Sequence, residues 1–196
     1  LTLSPFGNYC VGANSVTGSW SGFTDSGTGI EGYYISLQNG GGTTNGSWQY
    51  TRSGILNTLA INQTNTFYVW AKDKIGWIGQ AAKASFLALS PDGDWDQDGV
   101  SNFAEEIAGS DASKASSVFR LGVTGSAGSE NGFVIQWPGI TNRHYSVYFS
   151  DRLVSATNWV LLPGSANLSG SNGVMSFTDH SAGLVSRFYK ISVSSP

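Results

Sequence analysis

Short apolar runs of about four to eight residues, each cut off by a cluster of Gly, Asn and Ser, recur along almost the whole chain and constrain its fold most. They are Gly32–Leu37, Thr66–Lys72, Ala84–Leu89, Phe133–Trp137, Tyr145–Ser150, Asn158–Leu162, Val174–Thr178 and Phe188–Val193. Runs this short, rich in β-branched and aromatic residues, read as strands rather than as pieces of buried helix. Strands at such regular spacing, without helical patterns between them, build antiparallel sandwiches and not an α/β sheet. One segment departs: Asn102–Ala108 reads as a helix that stops at Gly109 after barely two turns. The expectation is therefore an all-β chain, two β-sandwich domains joined by a loop that carries one short helix.

Charge narrows the function. With 10 Lys plus Arg against 13 Asp plus Glu in 196 residues, the net charge is -3 and no basic field exists to neutralise phosphates, which argues against a nucleic-acid binder. The longest apolar runs, such as Phe86–Leu89, fall far short of the roughly 20 residues a membrane helix needs, so no membrane span is expected. A single Cys, Cys10, closes no intrachain disulfide and reads as a small buried residue rather than a reactive thiol. Leu1 is not an initiator Met and no basic segment leads an apolar one, which suggests a mature product or an excised piece of a larger protein. Abundant Gly, Ser, Thr and Asn with sparse Lys and Glu point to a secreted bacterial β-domain.

The composition shifts after Ser90, where Asp92, Asp94, Asp96 and Asp98 gather within a few residues of Pro91 and Gly93. From Asp94 the chain reads Asp94-x-Asp96-x-Asp98-Gly99-Val100-x-Asn102-x-x-Glu105, which meets every term of the calcium-loop pattern D-x-[DN]-x-[DN]-G-x5-E. The chemistry asks for this spacing. Ca²⁺ takes six to eight oxygens, and alternate residues of a tight turn aim their carboxylates at one point. Gly99 permits the turn, Val100 offers its backbone carbonyl, Asn102 binds directly or through water, and Glu105 supplies up to two oxygens. Pro91-Asp92-Gly93 forbids the entering helix of a true EF-hand. The loop resembles the EF-hand-like motifs of dockerins and thrombospondin type 3 repeats, and the D-x-D-x-D-G-x-x-N-x-x-E linkers between secreted bacterial modules. Asp92 and Asp111 lie outside it and either buttress the shell or, for Asp111, cap the next turn. The bland alternative is a solvated acidic linker; with calcium, the loop would become a stiff hinge between the sandwiches.

Residues 1–90 resemble a fibronectin type III or bacterial Ig-like domain, carried by Trp20-Ser21-Gly22-Phe23-Thr24-Asp25 leading to Tyr33, and by Thr66-Phe67-Tyr68-Val69-Trp70-Ala71-Lys72-Asp73. Residues 91–114 form the calcium linker. Residues 115–196 resemble a C-terminal β-sandwich module of secreted Verrucomicrobia-type proteins, carried by Phe133–Pro138, Tyr145-Ser146-Val147, Asn158-Trp159, Phe177-Thr178-Asp179 and Arg187–Ile191. Neither resemblance assigns a function, because such sandwiches serve as spacers, adhesins and binding modules alike.

Seven Trp call for a role. Strand alternation places Phe67, Val69 and Ala71 inward and Tyr68, Trp70 and Lys72 outward, with Tyr33, Ile35 and Leu37 inward and Tyr34 outward. Tyr34, Tyr68 and an exposed Trp70 then form one aromatic patch, edged by Trp48, Tyr50 and Trp77. Flat rings flanked by Gln38, Asn39, Asn45, Gln49 and Asp73 suit a sugar, whose C–H face is apolar and whose rim carries hydroxyls. The competing expectation is contact with neighbouring protein domains, as in a structural spacer, adhesin or filament subunit. Trp20, Trp137 and Trp159 read as core, and Trp95 as packing on a domain. Two His, His144 and His180, lack a nucleophile motif or metal spacing, and no phosphate loop or C-x-x-C occurs, so the chain reads as a non-catalytic module. The leading expectation is a secreted polysaccharide-binding accessory to a carbohydrate-active protein.

Overall fold

The computed structural model describes residues 1–4, 8–37, 46–125, 132–153, 159–180 and 187–195. Gln38, Asn39, Asn45 and Asn158 lie outside them. The chain forms two compact units, Leu1–Trp95 with Ser101–Phe103, and Asp96–Val100 with Ala104–Pro196. Both are all-β.

The first unit contains β1 (Thr2–Ser4), β2 (Tyr9–Val11), β3 (Ser15–Ser19), β4 (Ile30–Ser36), β5 (Ser47–Gln49), β6 (Ser53–Asn57), β7 (Gln63–Asp73) and β8 (Ala82–Leu89). One sheet has the order β1-β3-β6 and the other β2-β8-β7-β4-β5, with β2 parallel to β8. The two sheets make a β-sandwich, the fold class expected from the sequence. The alternation of β7 and β4 explains the core: Phe67, Val69 and Ile35 are wholly buried, with Tyr33 and Trp20 packed edge to face at 5.4 Å. Burying a side chain of this size contributes roughly 1.5–3 kcal/mol. Cys10 is buried in the same core.

The second unit contains α1 (Asn102–Ala108, whose first two residues group with the first unit), β9 (Gly122–Gly125), β10 (Phe133–Gly139), β11 (His144–Ser150), β12 (Val160–Leu161), β13 (Leu168–Ser169), β14 (Gly173–Asp179) and β15 (Phe188–Ser194). Its sheets are β14-β10-β9, and β11 flanked by β15 on one edge and by β12 and β13 on the other. Ile135, Trp137, Tyr145, Val147 and Leu162 form its core. Tyr145 also closes the β10–β11 turn, its hydroxyl oxygen accepting the Ile140 N–H at 3.0 Å. The last carbonyls of α1 are met by Arg143, whose Nε donates to Ile107 O at 3.0 Å and whose Nη2 donates to Glu106 O at 3.1 Å. A guanidinium at a helix C-terminus satisfies orphan carbonyls and complements the helix dipole.

Candidate metal centre and aromatic surface

The acidic loop curls twice through left-handed backbone, at Gln97 with φ 64° and at Gly99 with φ 93°. Glycine adopts that conformation without a steric cost, so the pattern's Gly sits where the backbone requires it. Each turn is tied by a carboxylate: Asp98 N–H donates to Asp96 Oδ1 at 3.3 Å, and Val100 N–H to Asp98 Oδ1 at 2.9 Å. The result brings carboxylate oxygens of Asp94, Asp96 and Asp98 within 4.8 Å of one another. Asp96 Oδ2 is buried without a hydrogen-bond partner. A buried carboxylate oxygen costs free energy unless something compensates it, and three converging hard anionic donors suit a hard cation. The donor set therefore fits calcium.

Other residues of the pattern are placed differently. Glu105 is 1% exposed on α1, its Oε1 accepting from the Ser110 hydroxyl at 3.2 Å. Asn102 is equally buried, but both ends of its amide close the base of the loop: Oδ1 accepts Trp95 N–H at 3.0 Å and Nδ2 donates to Ser90 O at 2.7 Å. Its backbone N–H adds a bond to Gly93 O at 2.7 Å. Asn102 is thus a clamp as built, a role its spacing in the pattern did not suggest. Val100 is exposed, Asp92 is exposed and apart from the cluster, and Trp95 is 43% exposed where packing was expected. Asp111 caps the following turn, its Oδ1 accepting Ser113 N–H at 3.1 Å. That capping and the Lys114 ammonium hold its carboxyl below the usual range, with the Lys114 hydrogen bond the larger cause.

The aromatic face of the β2-β8-β7-β4-β5 sheet is real, but it is packed on itself. The expectation of an exposed Trp70 is wrong: it is only 6% exposed. Alternation turned it outward correctly, yet Tyr68 stacks on it at 5.5 Å and 18°, and Tyr34 stands opposite on β4. Trp48 tilts against Tyr34 at 4.4 Å and meets Tyr50 edge-on at 5.7 Å. Trp48 also lies across Gly32, where a Cβ would come within 2.4 Å of the indole. Lys72 covers Trp48 from above, 5.4 Å from the ring centroid, held there by Glu31 at 2.9 Å. The hydrogen bond to Glu31 raises the Lys72 pKa, so it stays charged.

Trp77 does not join this face. It is 75% exposed and walls a groove of about 460 Å³ with Phe23, Asp25, Ile30, Ala71 and Gln80. A second groove of similar volume shares Phe23, Asp25 and Ile30 and is walled by Tyr50, 79% exposed, and Arg52. Both walls are fixed from beneath. Asp73 Oδ1 accepts the N–H groups of Ile75 and Trp77 at 3.0 and 2.8 Å, and Asp73 N–H donates to Trp77 O at 3.0 Å. Across the groove Asp25 Oδ1 accepts Gly27 N–H at 3.2 Å and Oδ2 accepts Gly29 N–H at 2.5 Å. Those backbone donors, Gly27 first, hold the Asp25 carboxyl below its ordinary range, so it faces the groove ionised.

No protein-family model matches the chain, and no curated protein does. Among solved structures it is similar to the chitinase ChiA74 from Bacillus thuringiensis, at TM-score 0.30 and 19% identity over 90% of this chain and 26% of that one. It is also similar to the FN1–FN3 domains of chicken CNTN1, at TM-score 0.32 and 15% identity over 92% and 56% of the two chains. A cytokine receptor complex aligns at TM-score 0.28 and 10% identity over 95% and 88%. The chain spans about a quarter of the length of the chitinase. Among the described residues, no helix is long and apolar enough to cross a membrane.

Proposed function

We propose that this chain is a secreted, non-catalytic segment that binds polysaccharide through the fibronectin-like unit and is stiffened by calcium at the acidic loop. The observation that carries the sugar reading is Trp77, an indole 75% exposed whose backbone is nonetheless pinned by the Asp73 carboxylate and amide. An exposed aromatic held in place loses little freedom on binding, which is what a stacking platform requires. The apolar C–H face of a pyranose fits that indole, while Asp25 and Gln80 across the groove accept from or donate to ring hydroxyls. The self-packed face of Tyr34, Trp48, Tyr68 and Trp70 supports a different role, a rigid wall of the module or a contact for another protein domain.

The calcium reading rests on the converging oxygens of Asp94, Asp96 and Asp98 and on the buried, uncompensated Asp96 Oδ2. Asp94, Asp96, Asp98, the Val100 carbonyl and Glu105 would hold the ion, and Asn102 would keep the loop shut beneath it. Affinity electrophoresis in gels containing insoluble-polysaccharide fragments or soluble glucans, chitosans and xylans tests the sugar reading. Retardation that Trp77→Ala abolishes, with unchanged thermal unfolding, supports it. Equal retardation of the variant, or none in any polysaccharide, overturns it in favour of the spacer reading.

A further inference from the structure

The two grooves of the first unit, each about 460 Å³, have Phe23, Thr24, Asp25 and Ile30 in common, so this segment is a saddle between them rather than the end of either. Beyond the saddle each groove has one aromatic wall, Trp77 in one and Tyr50 in the other. Among the described residues these are the two most exposed aromatic side chains, at 75% and 79%. Both are nonetheless anchored. Trp77 is held by Asp73, as described. Tyr50 meets Trp48 edge-on at 5.7 Å. The turn after it is tied by the Arg52 carbonyl, which accepts Trp20 N–H at 3.0 Å, and by the Thr51 hydroxyl, which donates to Ser53 O at 3.0 Å.

Strand register sets the distance between the two walls. Gln49 pairs with Tyr33 on β4, which puts Tyr50 beside Gly32; Gly32 pairs with Lys72 on β7, and Lys72 bridges to Ile78, the neighbour of Trp77. Tyr50 and Trp77 therefore stand at opposite ends of a row that crosses three strand-to-strand gaps, roughly 14 Å at about 4.8 Å each. The saddle between them is polar. Asp25 accepts from the Gly27 and Gly29 amides, yet a carboxylate offers about four acceptor positions, so it retains capacity for hydroxyl donors.

We propose that the two grooves are halves of one site that takes several consecutive sugars of an extended polysaccharide, with one ring on Trp77, another on Tyr50, and hydroxyls between them donating to Asp25. The proposal rests on the sugar reading of Trp77 and adds a second platform to it. A single pyranose does not reach across roughly 14 Å, whereas a chain of about four rings does. Once one ring is stacked, the other platform meets the same chain at a high effective concentration, so affinity depends steeply on chain length.

Titration calorimetry of the whole chain with gluco-, xylo- and N-acetylchito-oligosaccharides of about two to about six rings tests this. Affinity for the oligosaccharide that binds is expected to rise by about tenfold or more once the chain is long enough to reach both walls. Tyr50→Ala removes that gain and leaves the binding of short fragments unchanged, whereas Tyr50→Phe, which keeps the ring, retains it. Trp77→Ala abolishes binding at every length. Thermal unfolding of the three variants matches the parent, which separates a lost platform from a lost fold. Affinity that is flat with length, or indifferent to Tyr50→Ala, overturns the joint site; if Trp77→Ala still abolishes binding, the single platform stands. No binding at any length overturns both.

Discussion

Removing the carboxylate of Asp179 should unfold the second unit at a much lower temperature. Asp179 ends β14 with its side chain 0% exposed, 2.6 Å from Arg187 Nη1, and that guanidinium is itself only 10% exposed. The same carboxylate oxygen, Oδ2, accepts from the Tyr189 hydroxyl at 2.9 Å. Burial pushes the Tyr189 phenol far above its ordinary pKa, with the Asp179 carboxylate adding to it, so the hydroxyl remains a donor at any ordinary pH. Asp179→Ala therefore strands a buried cation and leaves a buried hydroxyl without its acceptor. Breaking a buried pair by deleting one partner costs about 3–5 kcal/mol, and an orphaned hydroxyl about 1–3. Arg187 keeps Asp151 at 3.2 Å and the Phe149 ring at 4.1 Å, which places the sum near the bottom of its range, about 4 kcal/mol. For a unit of about 100 residues this lowers Tm by roughly 16–32 °C. Scanning calorimetry reads it, with Tyr189→Phe as the control that removes only the hydroxyl and costs about 1 kcal/mol. The double variant Asp179→Ala with Arg187→Met removes both charges and should recover most of the loss. A fall below about 4 °C for Asp179→Ala, or a double variant worse than the single, refutes the reasoning.

Three further outcomes are expected. Titration calorimetry should find one calcium site that Asp96→Ala abolishes and Asp92→Ala leaves intact, and chelation should lower the unfolding temperature; no heat at millimolar calcium counts against the loop as a site. Gly32→Val should destabilise the first unit by about 1–3 kcal/mol in chemical denaturation, because its side chain enters the space of the Trp48 indole; an unchanged midpoint would mean that Trp48 moves aside freely. The Asp25 carboxyl, depressed below 3.8 by the Gly27 and Gly29 amides, supports its turn above that pH and loses its grip as pH falls through the lower folded value. NMR titration of its carboxyl should place the midpoint below 3.8, and a midpoint at or above it contradicts the turn geometry.

How much of this was legible beforehand depends on what each signal measures. β4, β7, β8, β10, β11, β14 and β15 each overlap one of the expected runs, because a strand of seven or more residues writes its period into the sequence. β1, β2, β5, β9 and β13 passed unseen, being two to four residues long, and so did the five-residue β3 and β6, where one or two apolar side chains among Ser, Thr, Gly and Asn carry no period. The helix Asn102–Ala108 was readable because Gly109 stops it. Alternation correctly named the side of the sheet on which Trp70 stands, but it says nothing of what lies beside that side chain, and Tyr68 and Tyr34 cover it. For Asn102 the spacing identified an oxygen donor, whereas the choice between an ion and two backbone partners depends on Ser90 and Trp95 approaching through the turn, which no motif records.

The uneven shielding of the indoles gives the molecule an optical readout of its own. Trp20, Trp70 and Trp137 are at most 6% exposed, while Trp77 and Trp95 stand open at 75% and 43%. Neutral acrylamide collides with both exposed rings, but iodide is repelled from Trp95 by the neighbouring Asp94, Asp96 and Asp98. Caesium, a cationic quencher, is drawn to the same place. The ratio of caesium to iodide quenching therefore reports the charge of the acidic loop, without any label attached to the chain.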